Sequence, residues 1–181
     1  KPLAKKLLQR FESLGGVLNA AQEELESIFG IGQHCTALIR LVREVQTSCL
    51  SERMMRRFTA TSVHAIVEFS QAKIGYLAYE VFMVVYLNTR NEILAHEIIQ
   101  EGTIDRAHVY PRRIAETALR KNAAAIILVH NHPSGHPRPS EADTHITRIL
   151  AKAMRLLDIH VLDHIVIGRG AYFSFAEKGL L

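Results

Sequence analysis

The stretch AAAIILVHNHPSGHPRPSEADTHITRILAKAMRLLDIHVLDHIVI, residues 123–167, decides the fold of this chain. Its first part, 125–129, is short and continuously apolar, which is typical of a strand buried on both faces. A loop rich in proline follows at 133–139, and the pattern of 140–157 predicts a long helix. A second apolar stretch, 160–167, predicts another strand. Strand, helix and strand in this order indicate an α/β arrangement.

Patterns on both sides of this stretch extend the arrangement. The first two further strands are dense in β-branched or apolar residues and are joined by turn-forming residues, so they predict a hairpin. An amphipathic helix precedes the hairpin, a helix opened by proline follows it, and a glycine turn leads into a last short strand. These elements are expected at 61–76, 81–87, 93–99, 111–122 and 172–175. Residues 61–181 therefore predict about five strands with flanking helices.

The first third of the chain has a different pattern, that of short amphipathic helices and a glycine turn. Gly30 and Gly32 let the backbone turn tightly and leave amides pointing outward, a geometry that can hold a phosphate at the start of the next helix. The alternative is an ordinary turn between helices. Residues 46–60 mix polar and basic side chains without clear periodicity, which predicts a linker or a frayed helix. The expected organisation is a helical domain at 1–48, a linker at 49–60 and a second domain at 61–181.

The composition excludes several classes of protein. With 48% hydrophobic and 22% charged residues, the chain is neither disordered nor collagen-like. Its longest apolar stretch is far shorter than the roughly 20 residues that span a bilayer, and no signal segment opens it, so no membrane partner is expected. Cys35 and Cys49 do not form a metal-type or redox-type pair, and a cytoplasmic address fits best. The net charge of +4 allows a nucleic-acid partner, but an ordinary solvated surface also explains it.

The segment VHNHPSGHPRPSEAD, residues 129–143, carries the chemistry. His130 and His132 are two positions apart at the end of a strand, so both imidazoles face one side and can reach one metal ion. The alternative is a pair of polar residues without a ligand. Asp143 adds a carboxylate, because the prolines of the loop limit its path back to the histidines. Two imidazoles and one carboxylate match a catalytic zinc site with water in the fourth position, although His136 is a rival ligand.

Two further residues complete a hydrolytic site. Zinc hydrolysis requires a base that takes a proton from the metal-bound water, and Glu80 is the best candidate because it stands at the head of a buried strand. The simpler explanation is a glutamate at the solvent boundary. Ser140 and Asp143 form S-x-x-D, which is typical of a capping box, and the same serine can offer its hydroxyl to a reacting oxygen. Asp163 and His164 are expected to support the site from behind the ligands.

The pattern H-x-H-P-S-G-x-x-x-P-S-x-x-D, from His130 to Asp143, resembles the JAMM motif of the MPN metalloprotease superfamily in the form found in bacterial RadC-like proteins. The similarity extends over EVFMVVYLNTRNEIL, PRRIAETALRKNAAAIILVHNHPSG and LDHIVIGRGAYFSFAE. The stretch LLQRFESLGGVLNAAQEELESIFGIG resembles the helix-hairpin-helix-like region of that family. The resemblance covers nearly the entire chain.

The resemblance implies an MPN-type, cytidine-deaminase-like fold, with a curved β-sheet flanked by helices and preceded by a small all-helical domain. It implies one Zn2+ per chain, bound by His130, His132 and Asp143. It also implies Glu80 as the general base and Ser140 as the hydrogen-bond donor to the oxyanion of the tetrahedral intermediate. The implied activity is that of a peptidase or isopeptidase that uses a zinc-activated water on a peptide or isopeptide substrate.

Two other functions stay open at this point. RadC-like proteins are historically linked to DNA repair, and helix-hairpin-helix-like elements grip DNA backbones through glycine amides and nearby basic residues. Gly30, Gly32, Arg40 and Arg43 are the candidates for such contact, which would not depend on DNA sequence. The rival function is a DNA-binding repair module whose metal site is a nuclease or only structural. A scaffold without chemistry is the third, and the complete set of ligands, base and serine argues against it.

Overall fold

The computed structural model describes residues 2–57, 63–102 and 110–181. Contacts between residues divide the chain into two units, Lys1–Ser51 and Glu52–Leu181. Within the described ranges, no helix combines the length and the apolar character that crossing a bilayer would need.

The first unit is helical. Its helices are Pro2–Phe11 (α1), Leu14–Asn19 (α2), Gln22–Glu26 (α3) and the first part of Gln33–Arg57 (α4). Val17, Leu25 and Ile31 are its buried apolar residues, so the core is small. The turn before α4 depends on Gly30, whose φ of +98° lies in the left-handed region that favours glycine.

The segment predicted as a linker, 49–60, is helical as far as the structure describes it. Helix α4 continues without a break to Arg57, because Leu, Glu, Met and Arg in this segment are good helix formers even though they lack a clear apolar stripe. Residues 58–62 lie outside the described residues.

The second unit contains a five-stranded mixed sheet with helices on both faces. Its strands are Val81–Leu87 (β1), Ile93–Glu101 (β2), Ala125–Asn131 (β3), His160–Ile167 (β4) and Tyr172–Ser174 (β5). Its helices are Val63–Ile74 (α5), Pro111–Arg120 (α6) and Glu141–Arg155 (α7). The strand order is β2-β1-β3-β4-β5. Only β3 and β4 pair in parallel, and α7 connects them.

The core lies on both sides of the two central strands. All seven residues of β1 and all seven of β3 are buried, as their continuous apolar sequences predicted. Because side chains alternate between the faces, Phe82, Val84 and Leu128 pack with α6 and α7 on one side. Helix α5 contacts β3 and β4. The predicted α/β fold is confirmed, with β2 and β3 each two residues longer at their ends than expected.

The register of β1 and β3 determines what meets at one end of the sheet. The two strands are antiparallel, and Phe82 lies opposite His130. The start of β1 therefore lies beside the end of β3, where the chain leaves the sheet and passes through a loop to α7. Glu80 consequently reaches the same end of the sheet as His130 and His132, although it lies far from them in sequence.

Candidate metal centre

Three side chains bring their ligand atoms together at the end of β3. The Nε2 atoms of His130 and His132 are 3.0 Å apart. Nε2 of His130 lies 3.2 Å from Oδ1 of Asp143, and Nε2 of His132 lies 3.4 Å from Oδ2 of the same carboxylate. His130 and Asp143 are buried and His132 is partly exposed. The structure thus brings together the three residues that the sequence predicted as metal ligands.

These spacings fit a tetrahedral zinc ion. Zinc binds imidazole nitrogen and carboxylate oxygen at about 2.0–2.2 Å, and ligands of a tetrahedron at that distance are about 3.3–3.6 Å from one another. The observed separations of 3.0–3.4 Å are close to that edge length. No fourth His, Cys, Asp or Glu joins the group within the described ranges. Three protein ligands with one open position are typical of a catalytic zinc site.

The charges of the group favour a cation. Burial alone would raise the pKa of Asp143, but hydrogen bonds from His130, His132 and Ser140 lower it well below its usual range, so the carboxylate is ionised. The hydrogen bond with Asp143 raises the pKa of His132, although burial of the ring opposes that shift. A metal ion and a proton therefore compete for His132, and metal binding must displace any proton on its ligating nitrogen.

Ser140 forms a complete capping box with Asp143 at the start of α7. Its hydroxyl accepts a hydrogen bond from the amide of Asp143 (3.1 Å) and donates one to Oδ2 of Asp143 (2.7 Å). Its own amide donates to the same oxygen at 2.6 Å. The capping box expected for Ser140 and Asp143 is therefore present in the structure. The hydroxyl proton points at Asp143, so the role expected for Ser140 towards an oxyanion stays a prediction.

A chain of buried polar groups orients His130. Its Nδ1 atom lies 2.8 Å from Nε2 of His164, and Nδ1 of His164 lies 2.5 Å from the hydroxyl of Thr147. That hydroxyl donates to the carbonyl oxygen of Asp143. Burial holds the pKa of His164 well below its usual value, so its ring is neutral. For Nε2 of His130 to face a metal, its proton must be on Nδ1, where His164 accepts it.

The supporting residues differ in part from those expected. His164 contacts a candidate ligand, as predicted, but the carboxylate of Asp163 turns the other way and accepts hydrogen bonds from Ser174 and from the amide of Ala176. The ring of His136 does not belong to the ligand group. Its backbone carbonyl instead lies 2.9 Å from Nδ1 of His132, which orients that ring.

The loop that carries His132 is braced by the turn between β4 and β5. The amide of His132 donates to the carbonyl of Ile167, and the amide of Arg169 donates to the carbonyl of Gly135, both at 2.9 Å. Gly135 has a φ of +83°. Gly168 packs so closely that an added Cβ would overlap the carbonyl oxygen of Gly135. The glycines of both turns therefore permit the close contact that holds the loop.

Glu80 lies just before β1, partly buried, and its charge contributes to the raised pKa of His132. Its carbonyl accepts a hydrogen bond from the amide of Gly102. A neighbouring residue not predicted from the sequence is Asn131, whose buried side chain bonds to the backbone on both sides of Glu80. Its position between the two histidines could have indicated this role. Side chains alternate between the two faces of a strand, so the side chain of Asn131 points away from the side on which His130 and His132 lie.

The candidate DNA-contacting residues belong to the first unit. Gly30 forms the positive-φ turn, and Gly32 accepts hydrogen bonds from the first turn of α4. Arg40 is exposed and its guanidinium donates to Gln22 at 3.2 Å, whereas Arg43 is partly buried. The structure places these four residues along the glycine turn and the first half of α4.

A mixed sheet with His130 and His132 at the end of β3 and Asp143 of α7 beside them, a group that could hold a metal ion, is typical of a metallohydrolase-like α/β domain of the JAB/MPN type. Comparison with known families makes this specific, because the model of the RadC-like JAB domain matches residues 60–180, and the chain belongs to that family. The resemblance recognised from the sequence is thereby confirmed.

Relatives match along nearly the whole chain. The UPF0758 protein RSc2444 of Ralstonia nicotianae is 41% identical over 177 residues, which cover 98% of this chain and 79% of that protein. The UPF0758 protein Mpe_A2695 of Methylibium petroleiphilum is 42% identical over 179 residues, covering 99% of this chain and 81% of that protein. These names state no activity.

Proposed function

We propose that this protein is a zinc-dependent hydrolase of the JAMM type that cleaves peptide or isopeptide bonds. The observation that carries the proposal is the convergence of His130, His132 and Asp143 at tetrahedral spacings, with one position left for substrate or water. The placement of Glu80 at the same end of the sheet supports a hydrolytic role over a structural one.

One zinc ion per chain fits this donor set, held by the Nε2 atoms of the two histidines and by the carboxylate of Asp143. When bound, such an ion polarises a carbonyl group and makes a water molecule more acidic. The chain's own contribution is to orient both imidazoles, through His164 behind His130 and the carbonyl of His136 behind His132.

Glu80 supplies the proton transfer in this proposal. Its carboxylate takes a proton from the attacking water as the oxygen forms a bond to the carbonyl carbon. It then gives that proton to the leaving nitrogen as the carbon–nitrogen bond breaks, so the base is regenerated in each cycle. A carboxylate at the head of β1 serves this role because the residues that would hold the ion lie at the same end of the sheet.

Ser140 stabilises the oxyanion in this proposal by turning its hydroxyl from Asp143 towards the substrate oxygen. The turn does not release Asp143, because the amide of Ser140 still donates to Oδ2 at 2.6 Å. One hydrogen bond to a developing oxyanion is worth about 2.7–4 kcal/mol of transition-state stabilisation.

Metal content tests the site itself. We expect about one zinc per chain in the purified protein, measured by mass spectrometry, and its loss in His130→Ala and Asp143→Ala. His136→Ala is the matched control, because only the backbone carbonyl of His136 contacts the ligand group. Zinc that persists in the first two variants contradicts the assignment.

Glu80→Gln tests the reaction. This variant should keep its zinc and lose hydrolysis of peptide and isopeptide substrates by about 10²–10⁴-fold, the usual contribution of a general base. A library of peptides and lysine-linked isopeptides provides the substrates, and product amines are quantified. Hydrolysis that is unchanged in Glu80→Gln would rule out the role proposed for this residue.

We propose as a second function that the first unit contacts DNA backbones without reading their sequence. The positive-φ turn at Gly30 and the exposed Arg40 on α4 favour this. Binding to duplex DNA should weaken as salt rises, weaken further in Arg40→Ala, and be indifferent to Glu80→Gln. Binding that does not respond to salt or to Arg40→Ala counts against it.

A further inference from the structure

Asn131 is a fully buried polar residue that stands between the two candidate ligands His130 and His132. Its Oδ1 atom accepts a hydrogen bond from the amide of Val81 at 2.7 Å. Its Nδ2 atom donates one to the carbonyl of Tyr79 at 3.0 Å. Both bonds cross from β3 to the segment that enters β1.

These two bonds hold the backbone on either side of Glu80. The carbonyl of Tyr79 belongs to the peptide group before Glu80, and the amide of Val81 belongs to the peptide group after it. When both peptide groups are held, φ and ψ of Glu80 are both restricted. The amide of Gly102 holds the carbonyl of Glu80 from the other side. The carboxamide of Asn131 therefore contributes to the direction in which the glutamate side chain leaves the backbone, and it holds the peptide group before Glu80 to β3.

The carboxamide extends the pairing of β1 and β3 by one step. The regular antiparallel pairing of the strands ends with Phe82 opposite His130. A carboxamide presents the same donor and acceptor as a peptide group, so the side chain of Asn131 continues the ladder where the backbone of β3 turns into the loop. A side chain that has only a hydrogen-bond donor or only an acceptor cannot make both bonds.

We propose that Asn131 is a positioning residue that fixes Glu80 relative to the metal ligands. The proposal rests on the proposed function, since it takes Glu80 as the group beside the metal. Because the backbone of Asn131 links the two ligand histidines directly, any movement of the ligands also moves the anchor of the glutamate. The ligands and the base are therefore held by one continuous piece of chain.

Cobalt-substituted protein tests this without a substrate. The visible absorption of bound Co2+ responds to the groups around the ion, so Glu80→Gln should shift the spectrum of the parent protein. Asn131→Ala should keep one cobalt per chain and shift the spectrum in the same direction. The double variant Glu80→Gln with Asn131→Ala should show no shift beyond that of Glu80→Gln, because the two changes remove the same interaction.

Two further variants separate a specific effect of Asn131 from a general loss of structure. Asn88→Ala is the matched control: the side chain of this asparagine also makes two hydrogen bonds to the backbone, in its case accepting from the amides of Arg90 and Glu92, just beyond the opposite end of β1. Its loss should leave the cobalt spectrum unchanged. Asn131→Asp keeps an acceptor for Val81 and loses the donor to Tyr79, so it should give an intermediate shift even if Asn131→Ala folds poorly.

Two outcomes overturn the proposal. One is a cobalt spectrum that responds to Glu80→Gln but not to either Asn131 variant, and the other is additive shifts in the double variant. Neither outcome depends on hydrolysis. If the protein cleaves no peptide, the proposed function is contradicted, but the cobalt spectra still test the role of Asn131.

Discussion

Asp143 serves the first turn of α7 and the metal group at the same time. Its Oδ2 atom accepts hydrogen bonds from the amide and the hydroxyl of Ser140, whereas Oδ1 lies 3.2 Å from Nε2 of His130. The capping box and the ligand hypothesis therefore do not exclude each other, because the bonds from Ser140 go to Oδ2 and leave Oδ1 to face His130. The cap also orders the carboxylate in advance, which lowers the entropy lost when an ion binds.

Ser140→Ala separates these two tasks. We expect a loss of about 0.5–2 kcal/mol in the free energy of unfolding, as for other N-caps, and a zinc affinity about 10–100-fold lower because a residue supporting a ligand is removed. Ser13→Ala is the control, since Ser13 caps α2 in the first unit. Thermal unfolding and competition with a zinc chelator measure both effects. Equal zinc affinity in the two variants would show that the cap does not support the ligand.

The pH dependence of metal-free protein reports on His132. Its pKa is raised, chiefly by the hydrogen bond with Asp143, so the folded protein binds this proton more tightly than the unfolded chain does. The resulting stabilisation is complete below about pH 6.5, the ordinary histidine pKa, and is lost as pH rises through the raised value. We therefore expect the free energy of unfolding in chelator to fall above that pH. Urea titrations at several pH values measure it.

Asp143→Asn is the comparison for this pH series, because it removes the charge that raises the pKa of His132 and should flatten the fall. Saturating zinc should reverse the trend, since protons and metal compete for the same nitrogens. Identical slopes for the parent and Asp143→Asn would contradict the assigned cause.

At the scale of elements, the turn between β4 and β5 supports the loop between β3 and α7. Gly168→Ala places a methyl group against the carbonyl of Gly135 and the ring of Pro137, so the loop must move. We expect weaker zinc binding together with lower stability. In Gly170→Ala the added Cβ meets no atom within 4 Å, and only the positive φ of +71° is strained, so it should lower stability without changing zinc affinity. Unaltered zinc affinity in Gly168→Ala would contradict the bracing role.

The elements that the sequence predicted well are those whose signal is local. The strands β1 and β3 are uniformly apolar, and α7 begins at a capping box, so neighbouring residues suffice to recognise them. The proximity of His130, His132 and Asp143 was predictable for the same reason, since all three lie within one short segment. The roles of Asn131 and Thr147 were not, because each depends on a partner that only the pairing of strands or the packing of α7 brings near.

The segment predicted as a linker or a frayed helix shows where local sequence signals are too weak to identify an element. Residues 49–57 have no apolar periodicity, and their pattern therefore carried no sign of the packing partner that a helix usually needs. Helix-forming residues continue α4 through them, and Met54 is fully buried, although a single apolar side chain makes no periodic pattern. A pattern read for amphipathicity cannot distinguish such a segment from an unstructured connection.

At the scale of the whole molecule, the two units contain different candidate functions. The ligands, Glu80 and all five strands belong to Glu52–Leu181, whereas Gly30, Gly32 and Arg40 belong to Lys1–Ser51. Among its described residues, 2–51, the first unit buries three apolar residues in its core, which is little for an independent domain.

A fragment of residues 52–181 should therefore fold cooperatively and bind zinc with the stoichiometry of the full chain, as measured by calorimetry and metal analysis. Any salt-dependent DNA binding should be lost from it. A fragment that unfolds or that lacks zinc would show that the first unit is needed for the metal centre.

The distances along the chain suggest an order of assembly. All three ligands lie within residues 130–143, but the bond between Asn131 and Val81, which anchors the segment of Glu80, joins residues 50 positions apart. Closing a long loop costs more entropy than closing a short one, so during folding the ligands should gather before β1 docks. Under the proposed function, a chain that has gathered its three candidate ligands would still lack its proton acceptor until β1 has docked. Completion of the sheet would then be the step that switches on hydrolysis.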